Sequence, residues 1–165
     1  SAVTHVGRSN GLSAPNGPSQ EQAMRDALRQ AGLAPSDIQY VETHGTGTKL
    51  GDPIELEAIK NVYCEEMQQR QPLIVGSVKT NIGHTESAAG IAGLIKAMLI
   101  LERQQVPPHI HLKKPNPILH LEDGKVRVPT TLLTDTPIQN IGVSSFGFGG
   151  TNSHIILQRA PSVLS

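Results

Sequence analysis

Leu73-Ile74-Val75-Gly76-Ser77-Val78-Lys79-Thr80-Asn81-Ile82-Gly83-His84 is the stretch whose reading decides the fold. It begins as a short apolar, β-branched segment, Leu73 to Val75 with Val78, which predicts a buried strand. Through Thr85 to Gly90 it leads into an apolar run to Leu101, which predicts a helix from Ala88 to about Arg103. A lysine, an asparagine and a histidine lie between, on a strand-to-helix loop of the kind that carries chemistry on rigid supports. His84 is a potential base, and the nearby fixed charge of Lys79 would help hold its imidazole neutral.

The helix that follows mixes small residues (Ala88, Ala89, Gly90, Ala92, Gly93, Ala97) with large ones (Ile91, Leu94, Ile95, Met98, Leu99, Ile100, Leu101). Apolar residues nearly all round predict burial on most faces. Lys96 interrupts the run, which is too short and too broken to cross a bilayer. The reading is a central pillar that fixes His84 in place.

The 165 residues suit one domain. Fourteen basic and fourteen acidic residues cancel, which argues against nucleic acid and anionic membrane surfaces as partners. Two Tyr, two Phe and no Trp leave the core to aliphatic side chains, and 16 Gly with 12 Pro imply many tight turns. The single cysteine, Cys64, excludes an internal disulfide and suits a reducing, cytoplasmic compartment. No leader or transmembrane segment is visible, and the opening Ser1-Ala2-Val3 suggests a piece of something longer.

Working outward, Ser1 to Pro18 reads as a polar loop. Ser19 with Gln22 forms a capping box for a helix in which Met24, Ala27, Leu28 and Ala31 recur at helical spacing, closed by Gly32. Pro35 to Asp37 is a turn, and Ile38 to Thr43 a short strand. Asp52 at N-cap, Pro53 and Glu55 predict a helix to about Glu65. Beyond the pillar helix, His109 to Leu121 is extended and broken by prolines, and Val126 to Thr134 reads as a small hairpin or an irregular excursion. Ile138 to Ser145 and Ser153 to Gln158 are antiparallel strands joined by Phe146-Gly147-Phe148-Gly149-Gly150-Thr151-Asn152.

A second histidine, His44, follows its own strand on the loop Gly45-Thr46-Gly47-Thr48. Glycines there let a backbone approach a ligand, and the threonines offer hydroxyls. Two histidines at strand C-terminal ends invite one site, because open α/β sheets bind ligands there. Two neutral imidazoles could polarise a carbonyl or move a proton; each alone could equally be a structural loop residue. His109, His111 and His120 lack acidic or cysteine partners at metal-ligand spacing. Gly45 to Gly51 misses both the dinucleotide fingerprint and the Walker pattern, and Gly142 to Gly147 is no nucleophile elbow. Cys64 sits beside Glu65 and Glu66, which would raise a thiol pKa, so it reads as a packing or surface residue.

Four ordered motifs resemble the C-terminal half of a β-ketoacyl synthase: Val41-Glu42-Thr43-His44-Gly45-Thr46-Gly47-Thr48, Gly51-Asp52-Pro53-Ile54-Glu55, Val78-Lys79-Thr80-Asn81-Ile82-Gly83-His84 and Ser145-Phe146-Gly147-Phe148-Gly149-Gly150-Thr151-Asn152. Gly7 to Leu12 and Ala14 to Gln20 resemble the modular type I polyketide synthase branch. The resemblance implies the C-terminal half of a thiolase-like fold: α/β/α layers with a mixed sheet, within a five-layered αβαβα whole. Residues 1–160 would belong to the ketosynthase domain and 161–165 would begin a linker.

The implied activity is decarboxylative Claisen condensation of a malonyl-type extender with an acyl chain, in polyketide or fatty acid biosynthesis. No cofactor is implied beyond substrates delivered on the phosphopantetheine arm of an acyl carrier protein. His44 and His84 match the two catalytic histidines, and Lys79 the lysine supporting His84. Thr46 and Thr48 match residues that hold the arm. Phe148 matches the gating phenylalanine, whose N–H would complete an oxyanion hole, and Phe146 lines the same wall. The nucleophilic cysteine belongs to an N-terminal half missing from these residues, so this piece alone is expected to be inactive in condensation. Implied partners are that N-terminal half, an acyl carrier protein, a neighbouring acyltransferase domain and a second copy of the full domain. A non-catalytic thiolase-like module that binds carrier protein or shapes a chain-length cavity is the alternative. Retention of His44, His84 and Lys79 argues for the enzyme.

Overall fold

The computed structural model describes residues 1–5, 15–65 and 71–161. Gly7 to Leu12 and Ala14, half of the opening motif, lie outside them. Six strands form one mixed sheet: β1 Ala2–His5, β2 Tyr40–Glu42, β3 Leu73–Gly76, β4 Val126–Arg127, β5 Asn140–Phe146 and β6 Thr151–Gln158. Their order is β1-β6-β5-β2-β3-β4. β5, β2, β3 and β4 run parallel; β6 pairs antiparallel with β5, and β1 with β6. Helices α1 (Gly17–Ala31) and α2 (Gly51–Tyr63) cover one face, and α4 (Ala89–Arg103) the other. A single turn, α3 (Lys79–Ile82), links β3 towards α4.

Successive side chains of a strand point to opposite faces. Val41 and Val75 therefore join Met24, Leu28, Leu56, Ile59 and Val62 in one core layer. Tyr40, Ile74, Ile141 and Val143 join Ala97, Ile100 and Leu101 in the other. A parallel sheet covered on both faces explains why Leu73-Ile74-Val75 is continuously apolar. The three-layer half-domain expected from the resemblance is present.

Several expectations need correction. The opening segment is not all loop: Ala2–His5 is an edge strand held by the β6 backbone, which no local pattern announces. The Ser19–Gln22 capping box is absent. α1 starts at Gly17, and the Asn16 side chain accepts the Ser19 N–H at 3.0 Å. Asp52 is not the N-cap of α2 either. Thr48 Oγ1 accepts the Gly51 N–H at 2.9 Å, and Asp52 reaches back to the Gly47 N–H at 3.0 Å. That helix ends at Tyr63, so Cys64 lies just past it, buried, with its Sγ 3.6 Å from the Lys125 carbonyl. Of the two readings for Val126 to Thr134, the irregular excursion holds and the hairpin does not: Val126–Arg127 pairs parallel with β3, and Leu133 makes an isolated bridge to Val106.

α4 departs most from expectation. Its sheet-facing stripe is Ala89, Gly93, Ala97, Ile100 and Leu101, mostly small residues that let the helix lie close to β5 and β2. Ile91, Ile95, Met98 and Leu99 point away and are 53, 52, 55 and 40% exposed. No helix of the described residues is long and apolar enough to cross a membrane.

Candidate active site

His44 stands one residue beyond Thr43, where the β2 backbone leaves the sheet. Its loop is pinned from below by Glu55, a buried carboxylate on α2. Oε1 accepts the His44 N–H at 2.7 Å and Oε2 the Gly45 N–H at 2.9 Å. Gly45 has φ +47°, and a Cβ there would lie 2.6 Å from Thr43 Oγ1 and 2.9 Å from Ser77 Cβ. Only glycine fits that turn without strain.

His84 arrives from the opposite loop, past α3 and Gly83. Its Nδ1 accepts the Glu86 N–H at 2.9 Å. In the neutral ring that leaves the proton on Nε2, available as a donor. The two imidazoles meet edge to face, with centroids 5.5 Å apart and planes at 87°. Phe146, at the end of β5, packs against His44 at 5.7 Å.

Burial first, then the positive charge of Lys79 and the neighbouring His84, push His44 down to about 4. A neutral ring near pH 7 follows, the state that donates and accepts rather than repels a cation. Burial likewise lowers the Lys79 ammonium, opposed by the charges of Glu55, Glu42 and Asp52. Burial pushes the Glu55 carboxyl up to about 7 against its two amide hydrogen bonds.

Two cavities share His84 and Thr46 in their linings. One of about 380 Å³ is lined by Thr46, Lys79, Thr80, His84 and His109, with an apolar end at Leu119, Leu121 and Val128. The other, about 490 Å³, is lined by His44, Thr46, Thr48, His84, Phe146 and Phe148. His84 and Thr46 thus line both cavities, Lys79 lines the first, and His44, Thr48 and Phe146 line the second. Phe148 reaches its rim but is 83% exposed on the β5–β6 turn. Among the described residues no group of three His, Cys, Asp or Glu side chains converges as a metal site.

Sequence reasoning misses the residues beneath this site. In the sequence Glu55 reads only as a helix-start residue. Glu42 is 1% exposed, and its carboxylate meets Lys96 Nζ at 2.8 Å. An acid in the apolar segment Tyr40-Val41-Glu42 and a base interrupting an apolar helix are the available signals for that pair. His154 is fully buried, bridging Tyr63 Oη at 2.7 Å and Ser144 Oγ at 3.0 Å.

A parallel-centred sheet presenting two histidines and a lysine from its strand ends defines a thiolase-like α/β domain. Comparison with known proteins agrees. The profile for "Beta-ketoacyl synthase, C-terminal domain" matches residues 1–113, and that for "Ketoacyl-synthetase C-terminal extension" residues 115–164. The chain is 48% identical, over 99% of its length, to a phenolphthiocerol/phthiocerol polyketide synthase of Mycobacterium bovis, of which it covers 9%. It is 47% identical over 98% of its length to erythronolide synthase EryA3 of Saccharopolyspora erythraea, covering 5%. A solved ketosynthase, from module 1 of the bacillaene synthase of Bacillus amyloliquefaciens, superposes with a TM-score of 0.90 at 44% identity, over 98% of this chain and 29% of that one. The chain belongs to the β-ketoacyl synthase family, as a part much shorter than the relatives it matches.

Proposed function

We propose that this chain is the C-terminal part of a ketosynthase that condenses a malonyl-type extender with an acyl chain, with residues 1–160 inside the domain and the segment from 161 onward leading out of it. The observation that carries the reading is the His44–His84 pair, with ring centroids 5.5 Å apart, lining one cavity with Thr46 and Thr48, while Lys79 lines the adjoining cavity that His84 also lines. Decarboxylation without a metal needs hydrogen-bond donors aimed at the thioester oxygen as the C–C bond to carboxylate breaks and negative charge moves onto that oxygen. Two neutral imidazoles can each present an N–H there. The carbanion then attacks an acyl thioester on a cysteine supplied by the N-terminal half, and the thiolate leaves.

Thr46 and Thr48 would hold the phosphopantetheine arm of an acyl carrier protein, and Phe146 with Phe148 would wall the carbanion from water. Ile91, Ile95, Met98 and Leu99 on α4, beside a groove of about 450 Å³ lined by Ile82, Ile95, Leu99 and Leu132, would be covered by the N-terminal half. A soluble cytoplasmic multienzyme with a neighbouring acyltransferase domain and a dimeric full domain fits this reading. The test joins this chain to a cysteine-bearing N-terminal half and measures malonyl-carrier decarboxylation. His84→Ala is expected to lower the rate roughly 100-fold or more. Undiminished decarboxylation in that variant would reject the role of His84 and favour a non-catalytic module.

A further inference from the structure

Beneath the two catalytic loops lies one carboxylate that lines neither cavity. Glu42 accepts the Val78 N–H with Oε1, and takes the Tyr40 O–H at 2.6 Å and the Lys96 ammonium at 2.8 Å with Oε2. Its three donors come from its own strand, from the loop after β3 and from α4. Glu42 stands two residues before His44, and the amide it holds stands one residue before Lys79.

We infer that Glu42 is a positioning residue for the proposed site: by holding the Val78 amide it sets the loop of Lys79 and His84 against that of His44, with Lys96 as its counter-charge. The inference rests on the proposed function. A stabilising role alone would not call for these residues, because an apolar pair of like volume serves stability as well as a buried ion pair. An apolar pair could not accept the Val78 amide. The surroundings are built close around the carboxylate. A Cβ on Gly93 would lie 3.2 Å from Glu42 Cγ, and one on Gly76 2.7 Å from Tyr40 Oη. Lys96 Nζ also sits over the Tyr40 ring, 5.6 Å from its centroid. The charge of Glu42, with those of Glu55 and Asp52, favours the Lys79 ammonium against burial.

The test uses the full ketosynthase domain, with this chain joined to a cysteine-bearing N-terminal half. Glu42→Leu with Lys96→Met removes the acceptor without leaving a buried charge unpaired. Its Val78 amide is expected to exchange hydrogen at least about tenfold faster, and kcat for malonyl decarboxylation to fall about 10- to 100-fold with KM little changed. Glu42→Gln with Lys96→Met restores an acceptor oxygen, and should recover both readouts. Val78→Pro gives an independent route, since φ at that residue is −59°, which proline adopts. It deletes the amide, leaves the ion pair intact and should lower kcat to a similar extent. Unchanged Val78 protection in the Leu/Met pair, or an undiminished kcat in both that pair and Val78→Pro while His84→Ala abolishes turnover, would overturn the inference. A silent His84→Ala would bring down the proposed function instead, and exchange at Val78 would still decide whether Glu42 holds the loop.

Discussion

At the residue scale, the site turns on keeping the His44 imidazole neutral. His44 is pushed down to about 4 by burial, then by Lys79 and His84. Lysine's contribution is separable. Lys79→Met removes a positive charge near the ring, so the His44 titration should move up towards the ordinary histidine value near 6.5. An NMR titration of the His44 ring protons measures this, and no upward movement would show that burial and His84 set the value without Lys79. Tautomer is governed just as locally: the Glu86 N–H occupies His84 Nδ1 and leaves Nε2 as the donor. The motif residues around His44 and His84 are legible one by one. Glu55 is not, because a carboxylate in the first turn of a helix reads as a cap, and only its position beneath the His44 loop reveals two amides in need of an acceptor.

At the scale of elements, the β5–β6 hairpin is braced by a buried polar group. Ser144 and His154 are cross-strand partners, and Tyr63 at the end of α2 closes on the same ring. The ring fills the space over Gly142, where a Cβ would lie 2.8 Å from His154 Nε2. Gly142→Ala should therefore destabilise the fold by about 1–3 kcal/mol in denaturant unfolding, through overpacking. Burial pushes His154 down to about 3. Its folded value lies below its unfolded one, so its contribution is intact above about pH 6.5 and is lost as pH falls towards about 3. The stability difference between the parent and His154→Gln should then shrink by about 1.4 kcal/mol per pH unit below about 6.5. Comparing the two cancels the opposite slope from Glu55, whose carboxyl burial raises to about 7. A constant difference would mean that His154 is not held neutral.

At the scale of the whole molecule, the two faces of α4 have different destinations. Small residues seat it on the sheet, while Ile91, Ile95, Met98 and Leu99 are left towards solvent. Exposed contiguous apolar surface marks an interface. Ile95→Lys with Leu99→Lys should leave the melting temperature of this part nearly unchanged, since both side chains are outward. It should also weaken association with an N-terminal half by about 1.5–3 kcal/mol per buried side chain lost. Undiminished association in a pull-down of the two halves would place the interface elsewhere.

Local pattern by itself determined the buried strand at Leu73 to Val75, the antiparallel return through Phe146 to Asn152, and the two histidine loops. Each of these is a matter of periodicity or of turn chemistry between near neighbours. Only the tertiary structure decided what lies far apart in the chain: the Ala2–His5 edge strand on β6, the Lys96–Glu42 pair, and Glu55 under the His44 loop. It also decided which side of α4 is covered, because an apolar residue reports that it seeks burial but not against which surface. Backbone edges, buried charges and unmatched faces are completed by partners across the fold, and a linear pattern does not name the partner.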